Sequence, residues 1–216
     1  MPGVMVKTGL MDELMYKGRN TMMGYLKMEE ETKRTLDAEG WIHTGDQGKV
    51  DEDGFVYLTG RLKELIVTSG GENVSPVPIE NRLMDLCPAI SNAIVIGDKR
   101  NYLACLLALK TVADPVSGDP TQALTPEVIE LGKTFGSECT TLEEASQDQK
   151  WHDYLGTIIE KYNKEFSVSN AQTIRKWVII KNDISLGKGE LTATMKMKRG
   201  VVMKNYEKEI NSCYDN

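Results

Sequence analysis

The run Leu103-Ala104-Cys105-Leu106-Leu107-Ala108-Leu109 has no charged or polar-amide side chain in it. It is far too short to cross a bilayer, which takes about 20 apolar residues, so it reads as a buried strand. Ala93 to Ile96 reads as a second buried strand, joined to the first by the polar turn Gly97 to Asn101. Helix signals stand on either side of this pair. Ser75 offers an N-cap and Pro76 suits a first helical position, so a helix runs to Leu86 before Cys87-Pro88 stops it. Beyond the strands, Thr125-Pro126-Glu127 is a cap with proline in the first turn, and Thr141 with Glu144 forms a capping box. Trp151, Leu155, Ile158, Ile159, Tyr162 and Phe166 recur at helical spacing and form a core-facing stripe. Trp177 to Ile180 is a last apolar strand, Ser185 to Thr194 a loop, and Arg199 to Ser212 a final helix. The Asp-Pro, Ser-Gly and Asp-Pro steps between Thr111 and Leu124 mark an exposed loop. No internal repeat is visible.

The N-terminal part has a different texture. Glu13 to Lys17 reads as a short strand followed by a turn at Gly18, and Met28 to Glu39 as a surface helix rich in Glu and Lys. Gly48 to Val50 and Phe55 to Thr59 flank Asp51-Glu52-Asp53-Gly54, whose Asp-Gly step is a hairpin signal. Glu64 to Thr68 is a short strand ending in Gly70-Gly71. A β-rich opening over about residues 1–60 thus gives way to an α/β segment, with the break at Gly60 to Lys63.

Composition excludes some partners. A net charge of −6 argues against generic nucleic-acid binding, which needs a basic face to displace counterions. The cysteines (Cys87, Cys105, Cys139, Cys213) form no Cys-x-x-Cys pair, and His43 and His152 are the only histidines, so no metal site is expected. Reduced thiols, the lack of a transmembrane run and a weak N-terminal hydrophobic stretch together predict a soluble, cytoplasmic chain.

Several local patterns can carry chemistry. The carboxylate of Asp46, in Thr44-Gly45-Asp46, is suited at a loop tip to accept hydrogen bonds from adjacent ribose hydroxyls, although Thr-Gly-Asp is also a common surface turn. After a hairpin that folds the chain back, Arg61 can bring its guanidinium to the same ribose. Gly70-Gly71 serves either as a plain turn or as a place where backbone closely approaches a ligand. The basic run containing Lys196, Lys198 and Arg199 is either a solvated helix start or a cationic site.

Trp41-Ile42-His43-Thr44-Gly45-Asp46, Gly60-Arg61-Leu62-Lys63-Glu64, Val67 to Pro76, and Gly189-Glu190-Leu191-Thr192-Ala193-Thr194-Met195-Lys196-Met197-Lys198-Arg199 together resemble the C-terminal signature of the adenylate-forming, AMP-binding enzymes. Met22 to Leu26, Pro78-Ile79-Glu80, Ile90 to Ala93 and Ile96-Gly97-Asp98 narrow the resemblance to bubblegum-type long-chain fatty-acyl-CoA synthetases, over nearly all of residues 19–210. The resemblance implies an α+β fold, in which the β-rich edge of a large adenylation domain (1–62) precedes a small α/β C-terminal lid (63–216) with a helical insertion near 120–166. It implies ATP-ribose contacts at Asp46 and Arg61, a hinge at Lys63, a CoA tunnel near Gly70 and Gly71 with Glu72 and Asn73 as weaker candidates, and a catalytic adenylation lysine at Lys196, with Lys198 its competitor. Alanine at position 193 departs from the proline frequent in the family.

The reaction so implied joins a long-chain fatty acid to CoA through an acyl-adenylate. ATP and CoA are co-substrates, and Mg2+ accompanies ATP without a ligand on this chain. The Ser/Thr/Gly-rich phosphate loop and the acyl tunnel are expected on sequence N-terminal to these residues, so little ligase activity is expected of the chain alone. Two alternatives stand beside this: a non-catalytic truncated paralogue acting as a nucleotide- or CoA-binding regulatory module, and one half of a split ligase. Their partners would be a full-length paralogue and a separate N-terminal half. Peripheral contact with the endoplasmic reticulum membrane is a further expectation.

Overall fold

In a computed structural model that describes residues 3–215, the chain divides by its internal contacts into Met1–Leu65 and Ile66–Asn216. Met1, Pro2 and Asn216, the ends of the two expected domains, lie outside the described residues.

The first unit is an antiparallel meander of β1 (Val4–Thr8), β2 (Glu13–Gly18), β3 (Ile42–Val50) and β4 (Val56–Arg61), in that spatial order. Between β2 and β3 lies one short helix, α1 (Glu29–Thr35), with no buried residue. This helix is shorter than the expected 28–39. Beyond it Leu36 pairs with Ile42, and the Asp37 carboxylate accepts from the backbone N–H groups of Glu39 and Trp41, both at 2.9 Å. A side chain that bonds the backbone ahead of it competes with the helix ladder. The β3–β4 hairpin turns at Asp51, whose carboxylate accepts from Asp53 N at 3.1 Å and Phe55 N at 2.8 Å. The Asp-Gly signal located this turn. It did not reveal that β3 begins at Ile42, nor that β1 exists.

The second unit opens with the two-residue strands β5 (Ile66–Val67) and β6 (Asn73–Val74), then α2 (Pro76–Leu86), starting at proline as the sequence signals. Its centre is a three-stranded sheet of β7 (Ile90–Ile96), β8 (Leu103–Leu109) and β11 (Ile174–Ile179), in the order β11-β8-β7. β7 and β8 are antiparallel, while β8 and β11 are parallel. A parallel pair needs a long crossover. The chain supplies it as β9 (Thr111–Ala113), β10 (Pro120–Leu124), α3 (Pro126–Thr134), α4 (Leu142–Gln147) and α5 (Gln149–Glu165). The segment expected as an open loop is therefore an irregular hairpin, β9–β10. Asp114 closes its turn by accepting from Val116 N at 2.9 Å and Ser117 N at 2.7 Å.

Every residue of β8 is buried because both faces of the sheet are covered. Leu103, Cys105, Leu107 and Leu109 face a core built with α2, α3, α4 and α5, to which the α5 stripe contributes Trp151, Leu155, Ile159 and Tyr162. Ala104, Leu106 and Ala108 face a second core with Val202 of α6 (Arg199–Asn205) and Ile210 of α7 (Glu207–Ser212). The single final helix expected over 199–212 is thus two. Tyr206, with φ −106° and ψ 25°, breaks it, and its phenol donates to Asn182 O at 2.8 Å. Burial pushes the Cys105 thiol up, leaving a protonated, inert side chain.

Candidate functional site

The sequence candidates fall into three groups, which are described within the unit that carries them. In the first unit, Asp46 and Arg61 are direct cross-strand partners of β3 and β4, next to a register shift at Gln47/Gly48. Arg61 Nε lies 3.1 Å from Asp46 Oδ1. Asp46 does not sit at a loop tip, as the residue pattern suggests; it stands in a strand whose path is bent. Gly45 supplies the bend with φ +70°, a conformation side-chain-bearing residues rarely adopt. Around it the Thr44 hydroxyl donates to Leu14 O at 2.6 Å and accepts from Asp46 N at 3.0 Å. Glu13 holds the same corner, accepting from Gly45 N at 2.9 Å and lying 2.8 Å from His43 Nδ1. His43 in turn reaches Asp37, 3.7 Å away, whose carboxyl is held low first by the Trp41 N–H. The Asp46–Arg61 pair therefore rests on a braced corner, with the Arg61 side chain 58% exposed and available to a ligand. Glu13 lies outside every sequence motif, and His43, though within the Trp41–Asp46 motif, has no role that the sequence alone assigns.

Lys63 is exposed, within a single 3-10 turn, Leu62–Glu64, that ends just before the boundary between the units.

In the second unit, Gly70 and Gly71 form the exposed turn between β5 and β6. Gly71 needs to be glycine for its φ of +79°, since a Cβ there would meet nothing within 4 Å; at Gly70 neither reason applies strongly. Thr68 ties the turn, donating its N–H to Glu72 O at 3.0 Å and accepting from Gly71 N at 2.9 Å through its carbonyl. The turn is anchored on the β7–β8 connection: Ser69 N donates to Arg100 O at 2.9 Å, and Lys99 N to Val67 O at 2.7 Å. Glu72 and Asn73 are both exposed.

Lys196 also belongs to the second unit, at the end of a tight loop closed by the Leu191–Met197 bridge. Thr192 N donates to Lys196 O at 2.8 Å, and Lys196 N donates to the Thr192 hydroxyl at 3.0 Å. Lys196 and Lys198 are exposed, while Met197 between them packs on the second core. The two lysines differ in setting: Lys196 closes the loop, whereas Lys198 stands at the N-cap position of α6 without a side-chain cap bond. Arg199 is a largely buried anchor. Its guanidinium makes two bonds to Glu80, at 2.9 and 2.8 Å, and Glu80 also accepts from Val95 N at 2.7 Å. Glu80 lies on the buried face of α2 with Pro76, Ile79 and Leu83. An acid at that helical spacing in an apolar stripe was the signal available for this pair.

Among the described residues no group of three His, Cys, Asp or Glu side chains is placed to hold a metal ion. Nor is any described helix long and apolar enough to cross a membrane.

Comparison with known proteins gives the chain's relatives. Residues 63–135 match the family described as AMP-binding enzyme C-terminal domain. Long-chain-fatty-acid–CoA ligase ACSBG2 of Gallus gallus is 48% identical over 204 residues, covering 94% of this chain and 27% of the relative. Long-chain-fatty-acid–CoA ligase ACSBG1 of Bos taurus is 43% identical over 221 residues, covering 99% and 30%. The chain thus spans less than a third of the length of these curated relatives. Among solved structures, the A domain of carboxylic acid reductase from Segniliparus rugosus, in complex with AMP and a co-purified carboxylic acid, superposes with a TM-score of 0.65 at 21% identity, covering 94% of this chain and 28% of that one. At that identity the likeness shows the fold, a mixed α/β arrangement resembling adenylation domains. Over residues 63–135 the chain carries a match to the AMP-binding enzyme C-terminal domain family, and over nearly all of its length it is similar to the curated bubblegum-type long-chain-fatty-acid–CoA ligases.

Proposed function

We propose that this chain supplies the ribose-binding edge and the lysine-bearing lid of an AMP-forming long-chain fatty acid–CoA ligase. In that reaction a carboxylate oxygen attacks the α-phosphorus of ATP, releasing pyrophosphate and leaving an acyl-adenylate. The CoA thiolate sulfur then attacks the acyl carbonyl and AMP departs. Residues 1–62 form the edge of the large domain and residues 63–216 the lid, turning at Lys63. Asp46 accepts from the ribose hydroxyls while Arg61 donates to the same sugar. Lys196 presents an ammonium where negative charge gathers during the first step, a form of electrostatic stabilisation commonly worth about 100- to 1000-fold in rate. The turn at Gly70 and Gly71 borders the path of the CoA pantetheine arm. Phosphate and acyl-chain binding belong in this reading to sequence matching the rest of the relatives, so the chain alone turns over little. Within the cell it acts in the cytoplasm, touching the endoplasmic reticulum peripherally; membrane fractionation of the tagged chain tests that placement.

The observation that carries the reading is the cross-strand pairing of Asp46 with an exposed Arg61 on a braced corner. The test exchanges this chain for its matching segment in the Gallus gallus ligase and measures palmitate- and CoA-dependent AMP release. The exchanged enzyme is expected to be active and the 216-residue chain alone inactive. Asp46→Ala should raise the KM for ATP about 10- to 100-fold, the scale of a charge-assisted hydrogen bond. Lys196→Ala should suppress acyl-adenylate formation far more than thioester formation from supplied acyl-adenylate. Robust turnover by the chain alone, or an unchanged KM for ATP in Asp46→Ala, overturns the corresponding assignment.

A further inference from the structure

The loop that presents Lys196 is built around a carboxylate that no motif role assigns. Glu190 is completely buried. Its Oε2 accepts from Ser185 N at 2.9 Å, at the start of the loop, and its Oε1 accepts from Asn205 Nδ2 at 2.9 Å, on α6. Its own carbonyl accepts from Lys198 N at 2.7 Å, at the loop's end. One residue therefore ties together the entry of the loop, its exit and the helix that follows. Within this frame Leu191 bridges to Met197 and Thr192 bonds Lys196. Both partners of the Glu190 side chain are N–H donors, so only a side chain that accepts at both oxygens satisfies them. Glutamine would turn an NH2 group toward one of the two donors.

We propose that Glu190 is a positioning residue for the adenylation half-reaction: its buried carboxylate fixes the loop that places Lys196. This rests on the reading of Lys196 given above. The ammonium at the end of a flexible four-carbon stem can be aimed only if the backbone below it is fixed. Glu190 supplies that fixation without contact with substrate. A misplacement of about 1 Å at such a group can cost roughly 100-fold in rate.

The test uses donor–acceptor polarity. In Glu190→Gln, the amide hydrogens of Lys196 and Lys198 should exchange faster in the 216-residue chain. In the exchanged ligase, acyl-adenylate formation should fall roughly 100-fold, with its KM for ATP little changed. Thioester formation from supplied acyl-adenylate should stay near the parent rate. Adding Asn205→Asp to Glu190→Gln restores a matched pair, with the glutamine NH2 donating to the new carboxylate, and should recover both the slow exchange and most of the lost rate. Should Glu190→Gln fail to fold, Asn205→Ala at an exposed position removes one donor and should shift adenylation alone in the same direction, by less. Equal loss of both half-reactions, absence of rescue in a folded double variant, or an unchanged rate in Glu190→Gln overturns the proposal. If Lys196→Ala leaves adenylation intact, the assignment of that lysine fails instead, and amide exchange in Glu190→Gln alone then decides whether Glu190 fixes the loop.

Discussion

The two units of this chain bury apolar surface very differently. Among the described residues the four-stranded sheet of the first unit contributes only Leu14, Met15 and Ile42 to the fully buried apolar set, while Phe55, Val56, Tyr57 and Leu58 on and beside β4 stay exposed. The three-stranded sheet of the second unit is covered on both faces, and its central strand has no exposed residue. Hydrophobic burial is the main favourable term in folding. The second unit thus has a core of its own, whereas the first holds its shape mostly through strand ladders and side-chain bonds such as those of Glu13, Asp37 and Asp51. The candidate residues divide along the same line: Asp46, Arg61 and Lys63 stand on the weakly cored unit, and Gly70, Gly71 and Lys196 on the strongly cored one.

This contrast can be broken by substitution. The largest effect is expected at the Glu80–Arg199 pair. Glu80→Ala leaves a mostly buried guanidinium without its carboxylate and should destabilise the second unit by about 3–5 kcal/mol, read as a drop in the urea midpoint. Next, Leu107→Ala, in a fully buried strand, should cost about 2–5 kcal/mol, while Leu58→Ala on the exposed β4 should stay within about 0.5 kcal/mol. Comparable losses for the two leucines in parallel denaturant titrations would abolish the distinction between the units. A smaller effect is expected at α4: Thr141→Ala removes a capping box whose hydroxyl accepts from Glu144 N at 3.2 Å, costing about 1 kcal/mol by the same measurement.

The pH dependence sharpens the comparison further. Burial raises the Asp183 carboxyl above the ordinary aspartate range, so the folded second unit holds that proton to higher pH than the unfolded chain does. Protonated Asp183 therefore favours the fold. Its contribution is fully present below the ordinary aspartate range and is lost as pH rises through the raised folded value. The difference in urea midpoint between the parent chain and Asp183→Asn should narrow or change sign across that window. A difference independent of pH would show that Asp183 is not desolvated in the fold.

Much of this architecture is legible in local sequence because the relevant forces are local. Asp-Gly at a hairpin, proline at the first turn of α2 and of α3, the Thr141–Glu144 box and the apolar spacing of α5 each act within a few residues. The elements that no local motif announces depend on particular pairings, some near in the chain and some far. β1 is a strand because β2 lies beside it, and β9–β10 is a hairpin because Asp114 gathers the turn's donors. The final helix breaks at Tyr206, whose phenol reaches back to Asn182.

The same division applies to the candidate site. From sequence came the residue types and their order: an aspartate after Thr-Gly, an arginine one hairpin later, a glycine turn, and a lysine three residues before an arginine. These are properties of spacing, and spacing survives in a string of letters. Tertiary structure decided that Asp46 and Arg61 face one another across a bent strand pair, and that Arg199 is an anchor for Glu80 and no part of a solvated basic run. It also decided that Glu190 is the buried knot of the Lys196 loop. Those outcomes turn on burial and on hydrogen-bond partners separated by up to 119 positions in the chain, and only the folded chain brings such groups within bonding distance.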